Sequence, residues 1–368
     1  MKVLLLSCFT GEGHNSAARA IQEELDARGI ENKLMDPVLF HGRRAQRFVS
    51  SFYNNMIRTM PGTFGALYKV GAAYDATGIT SPVYLANAAY AKNLYQYIEE
   101  NQYDRVVATH LYGMEAMTAI RRRLHVEVPS YGVLTDYTRI PFFTEVQLTG
   151  YFIPHEDLRE AMTSRGLPSD RVFATGIPTA ARFARTMEKE QARQLLQMPS
   201  DKKILTVMSG GIGGGNVTGL CDALLAKTTE DYRIYVLVGR NEERKQKLQE
   251  RYGADGRIQP VSFTTEVNVY MKAADVLLSK PGGLSSTEAA VANVPLIHIN
   301  GIPGCETENI RFFEEHGLSH AAQSVEEAAD MAVQLADDAE AGEAMRARQR
   351  AAINPWAARD IVNQVVRE

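Results

Sequence analysis

A lysine, two glycines and a carboxylate stand close together in Lys280-Pro281-Gly282-Gly283-Leu284-Ser285-Ser286-Thr287-Glu288-Ala289, between an apolar run and a helical pattern. Glycines at the end of a strand let backbone amides approach a phosphate, and the N-terminus of the next helix adds the positive end of its dipole. Glu288, one turn into that helix, can accept from both hydroxyls of a ribose. Alone, the stretch reads as readily as a strand-to-helix turn carrying a solvated acid. It does not stand alone. Ser209-Gly210-Gly211-Ile212-Gly213-Gly214-Gly215 follows the first strand pattern of the same half. So many glycines cost conformational entropy unless the backbone needs unusual angles or close approach to a ligand; otherwise they make a flexible loop. Neither stretch fits Gly-x-Gly-x-x-Gly with a later acid, which disfavours NAD.

Two further stretches carry polar chemistry. Gly301-Ile302-Pro303-Gly304-Cys305-Glu306-Thr307-Glu308-Asn309 offers Glu306 and Asn309, whose side chains suit sugar hydroxyls. The plainer reading is a helix start with acids near its N-terminus. In Gly11-Glu12-Gly13-His14 a histidine is expected at the tip of a loop, where it takes a proton from an acceptor hydroxyl. A lone histidine is more often structural, and only its position favours catalysis. Asp136, in Leu134-Thr135-Asp136, ends another strand pattern and either orients His14 or the acceptor, or caps a turn. No Asp-x-Asp pair occurs to chelate a metal–diphosphate, so helix dipoles and basic groups are expected to stabilise a leaving diphosphate.

Between Asp36 and Asp75 there is no acidic residue. Arg43, Arg44, Arg47, Arg58 and Lys69 alternate there with aromatics, and Phe48, Phe52 and Met56 share one helical face. Such a segment suits an anionic lipid surface, or equally a packed core with solvated arginines. No nucleic-acid motif accompanies the charges, and the net charge of −4 argues against bulk nucleic-acid affinity.

These residues need a scaffold that brings strand ends together. At 368 residues the chain is long enough for two domains, and its 45% apolar content supplies ordinary cores. Strand patterns at 2–8, 32–37, 105–109, 130–134, 148–153 and 171–175 alternate with helical ones, and Gly29 is a plausible helix C-cap. The order restarts with strands at 203–208, 233–238, 259–262, 275–279 and 295–299 and a helix at 217–227. The domain crossing is placed at Gly176-Ile177-Pro178 and the charged stretch 185–193. The expected fold class is α/β: two Rossmann-like domains facing each other across a cleft, the GT-B arrangement. Its parts are expected at 1–180, 181–353 and 354–368, the last a helix crossing back to the first domain. The N-terminal apolar run is too short and lacks the cleavage site of a secretory signal. Three cysteines (Cys8, Cys221, Cys305) without paired or metal-type spacing suit a reducing compartment, so a cytoplasmic protein is expected.

Taken in order, these stretches resemble the monogalactosyldiacylglycerol synthase and processive diacylglycerol glucosyltransferase family. The resemblance spans nearly the whole chain and is strongest at 280–289 and 303–313, with support at 11–14, Thr135-Asp136 and 175–178. It implies an inverting, metal-independent transfer from UDP-glucose or UDP-galactose to diacylglycerol, peripheral on the inner face of the plasma membrane. It further implies His14 as base with Asp136 in support. Gly13, Gly210, Gly211, Gly213, Gly214, Lys280, Gly282, Gly283, Ser285, Glu288, Gly304, Glu306 and Asn309 would bind the donor. Arg43, Arg44, Arg47, Phe48, Phe52 and Arg58 would meet membrane and acceptor. No cofactor or metal is expected, and the partners are a UDP-sugar, a lipid acceptor and an anionic membrane. Two departures stand out: Cys305 where members have Gln, and Ile140, Phe143 and Glu145 where they carry histidines and a tryptophan. Rival functions are N-acetylglucosamine transfer to a polyprenyl-linked acceptor, UDP-N-acetylglucosamine 2-epimerisation, and UDP-sugar binding without catalysis.

Overall fold

Short, almost wholly apolar runs cannot leave either face to water, and here they form sheets covered on both sides. A computed structural model describes residues 1–8, 12–44, 46, 70–75, 77–208, 216–301 and 304–367. Two compact units emerge: Met1–Ala181 with Pro303–Cys305 and Asn354–Glu368, and Arg182–Ile302 with Glu306–Ile353.

The first unit holds a six-stranded, all-parallel sheet: β1 (Lys2–Leu6), β2 (Glu31–Met35), β3 (Arg105–Ala108), β4 (Ser130–Val133), β5 (Gly150–Ile153) and β6 (Val172–Ala174), in spatial order β2-β1-β3-β4-β5-β6. Helix α1 (Glu12–Ala27) leaves the end of β1, and α2 (Leu111–Ala119) leaves the end of β3. Gly113 lets α2 lie close on the sheet, because a Cβ there would stand 2.9 Å from that of Leu6. Val3, Leu5, Ile21 and Leu25 form one face of this core.

The second unit repeats the plan: β7 (Lys203–Met208), β8 (Tyr232–Gly239), β9 (Ile258–Ser262), β10 (Val276–Ser279), β11 (Leu296–His298) and β12 (His320–Ala321), all parallel, in order β12-β11-β10-β7-β8-β9. Helices α3 (Val217–Lys227), α4 (Gly283–Val291) and α5 (Cys305–Glu315) follow β7, β10 and β11. The chain ends in α6 (Ala357–Arg367), which belongs to the first unit: Ile361, Val362 and Val365 complete its core, and Arg28 donates to Asn363 at 2.8 Å. The two-residue β12 carries too little pattern to be read from sequence. No helix among the described residues is long and apolar enough to cross a membrane.

The positions at 143 and 145 serve packing. Phe143 is fully buried, and Glu145 accepts from Ser81, the N-cap of helix Pro82–Ala88. Beside Glu145, inside α2, lies Glu115, wholly buried, with no hydrogen-bond partner at either carboxyl oxygen among the described residues. Burial and the neighbouring Glu145 push its pKa up to about 10. The folded state therefore keeps it neutral, whereas the unfolded chain ionises it near 4.5. The penalty is absent below that pH and grows as pH rises. Glu115→Met is expected to raise unfolding stability by on the order of 2–3 kcal/mol at pH 7.5, with the gain shrinking toward pH 4.5. Urea unfolding at pH 7.5 and pH 5 measures it; a loss at the higher pH would contradict the assignment.

Candidate functional site

In an open parallel sheet, ligands gather at the carboxyl ends of the strands where the strand order reverses. In the first unit that point lies between β1 and β3, and the helix that follows each strand has a histidine at its start. His14 is half-buried and is the third residue of α1. The loop tip expected for it is therefore corrected: α1 already begins at Glu12, an acid in the first turn that suits the helix dipole and pairs with Arg19. Gly13 is exposed in the same turn.

Thr109, just past β3, holds His14 twice. Its hydroxyl donates to the His14 carbonyl at 3.0 Å, and its own carbonyl lies 2.9 Å from His14 Nδ1. A carbonyl only accepts, so Nδ1 carries the hydrogen and Nε2 keeps its lone pair. Thr135 Oγ1 stands 2.8 Å from the same Nδ1. With the hydrogen on Nδ1, the Thr135 hydroxyl oxygen can only share it as a second acceptor; its neighbour Asp136 is half-buried in the loop after β4. Nearby, Ser7 donates to the buried Asn15 at 2.7 Å, fixing the start of α1 to the end of β1. Burial lowers the His14 pKa from 6.5, partly offset by the Thr109 bond, so the ring is a neutral base at pH 7.

The second unit reverses strand order between β7 and β10. Gly210, Gly211, Gly213 and Gly214, which follow β7 in sequence, lie outside the described residues. After β10 the turn Lys280-Pro281-Gly282 leads into α4, which has no side-chain cap. The first amide of α4 to be bonded within the helix is that of Ser286, to the Gly282 carbonyl. The amides of Gly283, Leu284 and Ser285 therefore point from the helix end as anion donors. Among the described residues a Cβ on Gly282 would meet nothing within 4 Å, so packing against them does not require glycine there.

Helix α5 holds that turn. Lys280 Nζ pairs with Glu306 at 3.2 Å, and Asn309 donates to the Pro281 carbonyl at 3.0 Å. Asn309 is fully buried, which makes it a brace for the turn, while Glu306 and Lys280 remain partly open. Gly304, with φ 124, opens α5 in a conformation that favours glycine. Glu288 is half-buried in α4; desolvation pushes its carboxyl up to about 7, against the lowering effect of Arg182. His298, at the end of β11, had no sequence role. It is buried between Ser286 Oγ at 2.9 Å and Ser319 Oγ at 3.1 Å, with its pKa held down at about 3. It thereby ties α4 to the sheet as a neutral ring.

At the basic–aromatic segment, Arg43 and Arg44 are exposed. Arg47, Phe48, Phe52 and Arg58 lie outside the described residues. The signals for Thr109 and His298 were slight, because a polar residue at a strand's carboxyl end is ordinary until its partner is seen.

Residues 14–179 match the family model "Monogalactosyldiacylglycerol (MGDG) synthase", and residues 216–363 match "Glycosyltransferase family 28 C-terminal domain". A processive diacylglycerol beta-glucosyltransferase of Bacillus licheniformis is 26% identical over 329 residues, 88% of this chain and 84% of that protein. Among solved structures, Acinetobacter baumannii MurG superposes with TM-score 0.66 at 12% identity, over 100% of this chain and 99% of the other. Neisseria meningitidis UDP-GlcNAc 2-epimerase, bound to UDP-GlcNAc, does so with TM-score 0.63 at 16% identity, over 100% of both chains. These likenesses establish the GT-B fold.

The tautomer of His14 is directly measurable. In ¹⁵N-NMR of the imidazoles, His14 is expected to titrate below 6.5 with Nδ1 protonated in the neutral form. A ring that charges above 7 would refute this geometry.

Proposed function

We propose that this chain, a member of the monogalactosyldiacylglycerol synthase and processive diacylglycerol glucosyltransferase family, moves a hexose from UDP-glucose or UDP-galactose to a lipid hydroxyl, diacylglycerol first among them. The observation that carries this is the held imidazole: Thr109 fixes the hydrogen on Nδ1 of His14 and leaves Nε2 to accept a proton. In this reading Nε2 takes the proton of the acceptor hydroxyl. The hydroxyl oxygen bonds to the anomeric carbon as the bond from that carbon to the β-phosphate oxygen of UDP breaks. Attack from the face opposite UDP inverts the anomeric centre, through an oxocarbenium-like state.

The leaving diphosphate gains negative charge, which the amides of Gly283, Leu284 and Ser285 and the dipole of α4 are placed to meet. Lys280 adds a fixed cation, and no metal is required. Glu288 accepts from the ribose, and Glu306 from the hexose. Support for a membrane face comes from exposed Arg43 and Arg44 and from the exposed apolar side chains Val70, Ile79 and Leu85. Association at the inner face of the plasma membrane belongs to the same reading.

Purified protein with radiolabelled UDP-glucose, UDP-galactose or UDP-N-acetylglucosamine and diacylglycerol vesicles is expected to yield glycolipid from a hexose donor, unchanged by EDTA. His14→Ala is expected to lower turnover by about 10²–10⁴-fold with UDP binding retained. Near-normal turnover in that variant would overturn the base.

UDP binding has its own pH signature. Ribose hydroxyls donate best to an ionised carboxylate, and empty Glu288 titrates near 7. Affinity for UDP is therefore expected to rise about tenfold from pH 5.5 to pH 8 and then level, whereas Glu288→Gln gives a flat profile. Calorimetry across that range decides it, and a flat wild-type profile removes Glu288 from the ribose.

A further inference from the structure

We propose that His110 is a second acceptor-binding residue, and that with His14 it selects an acceptor whose reacting hydroxyl stands next to another oxygen. The inference rests on the transfer reaction proposed above and deepens it. His110 is the N-cap of α2, and its Nδ1 accepts the backbone N–H of Tyr112 at 3.2 Å. An accepting Nδ1 leaves the hydrogen of the neutral ring on Nε2, the opposite tautomer to that of His14. Burial, and then the proximity of His14, holds its pKa well below 6.5, so it stays a neutral donor and does not compete for the proton.

The two rings meet edge to face, with centroids 4.7 Å apart at 82°. Each residue is half-buried, and among the described residues Nε2 of neither ring has a hydrogen-bond partner. Two rings in contact at the carboxyl edge thus offer one accepting and one donating nitrogen. The accepting atom suits the attacking hydroxyl; the donating atom suits an oxygen on the adjoining carbon. A diacylglycerol has that arrangement, its primary hydroxyl beside an ester-bearing carbon, and so does a sugar diol. A simple long-chain alcohol does not.

Transfer rates to 1,2-dioleoylglycerol and to oleyl alcohol, each in phosphatidylcholine–phosphatidylglycerol vesicles, test the proposal. His110→Asn keeps a good helix cap and loses the ring donor, and His110→Ser serves as a second capping variant. Wild-type kcat/KM is expected to favour the diacylglycerol roughly tenfold, the worth of one hydrogen bond. Both variants are expected to bring the ratio near one, through a higher KM for diacylglycerol, with the Kd for UDP unchanged. If UDP binding persists and either variant keeps the wild-type ratio, His110 does not read the acceptor. If wild-type protein glycosylates neither lipid, the transfer reading fails along with this one.

Discussion

One carbonyl group sets the chemistry of the first unit. The Thr109 backbone oxygen can only accept, and its position against His14 Nδ1 dictates where the imidazole proton sits. That oxygen is fixed because Thr109 continues β3, whose ladder partner β1 launches the helix carrying His14. Sheet register therefore becomes tautomer. The same residue's hydroxyl anchors the His14 backbone, so a single threonine holds both the ring and the main chain of His14. Replacing a strand residue by one of equal β-propensity would keep the sheet and lose only the hydroxyl contact, which separates the two contributions.

The second unit solves a different problem with the same scaffold. An anion needs amides and a positive dipole end, and α4 offers both only while the turn before it stays in place. Three contacts secure it. Lys280 pairs with Glu306, Asn309 grips the Pro281 carbonyl, and His298 joins Ser286 to Ser319 behind the helix. Two of the three come from the first two turns of α5, so the donor-side turn is organised by a neighbouring helix and not by its glycines alone.

The sheets were legible because buried parallel strands are apolar throughout. The runs at 203–208 and 217–227 match β7 and α3 residue for residue, where hydrophobic pattern and caps agree. The sequence pattern marks His14 but puts it on a loop, since flanking glycines mask a helix start that Glu12 stabilises. The sequence pattern offers Asn309 as a sugar ligand because an amide near a glycine turn looks available. Its burial, and the bond to Pro281, are tertiary facts that no local pattern encodes. Glu115, His298 and Thr109 were invisible for the same reason. Each takes its meaning from a partner distant in sequence.

Desolvation acts in opposite directions on the two central titratable groups, and the contrast bears on how a transferase manages charge. Burial strips a proton from His14 by penalising the imidazolium, and keeps one on Glu288 by penalising the carboxylate. Both groups are thus biased toward neutrality before substrate arrives. Under the proposed reading, a diphosphate at the start of α4 meets a Glu288 that is only partly ionised at pH 7 and a Glu306 paired with Lys280, and ribose hydroxyls favour the ionised Glu288 once seated. In that reading His14 becomes charged only when it takes the acceptor's proton, as negative charge develops on the departing phosphate. Beyond the standing Lys280–Glu306 pair, charge at these two groups would then come with the reaction, and burial keeps it low until then.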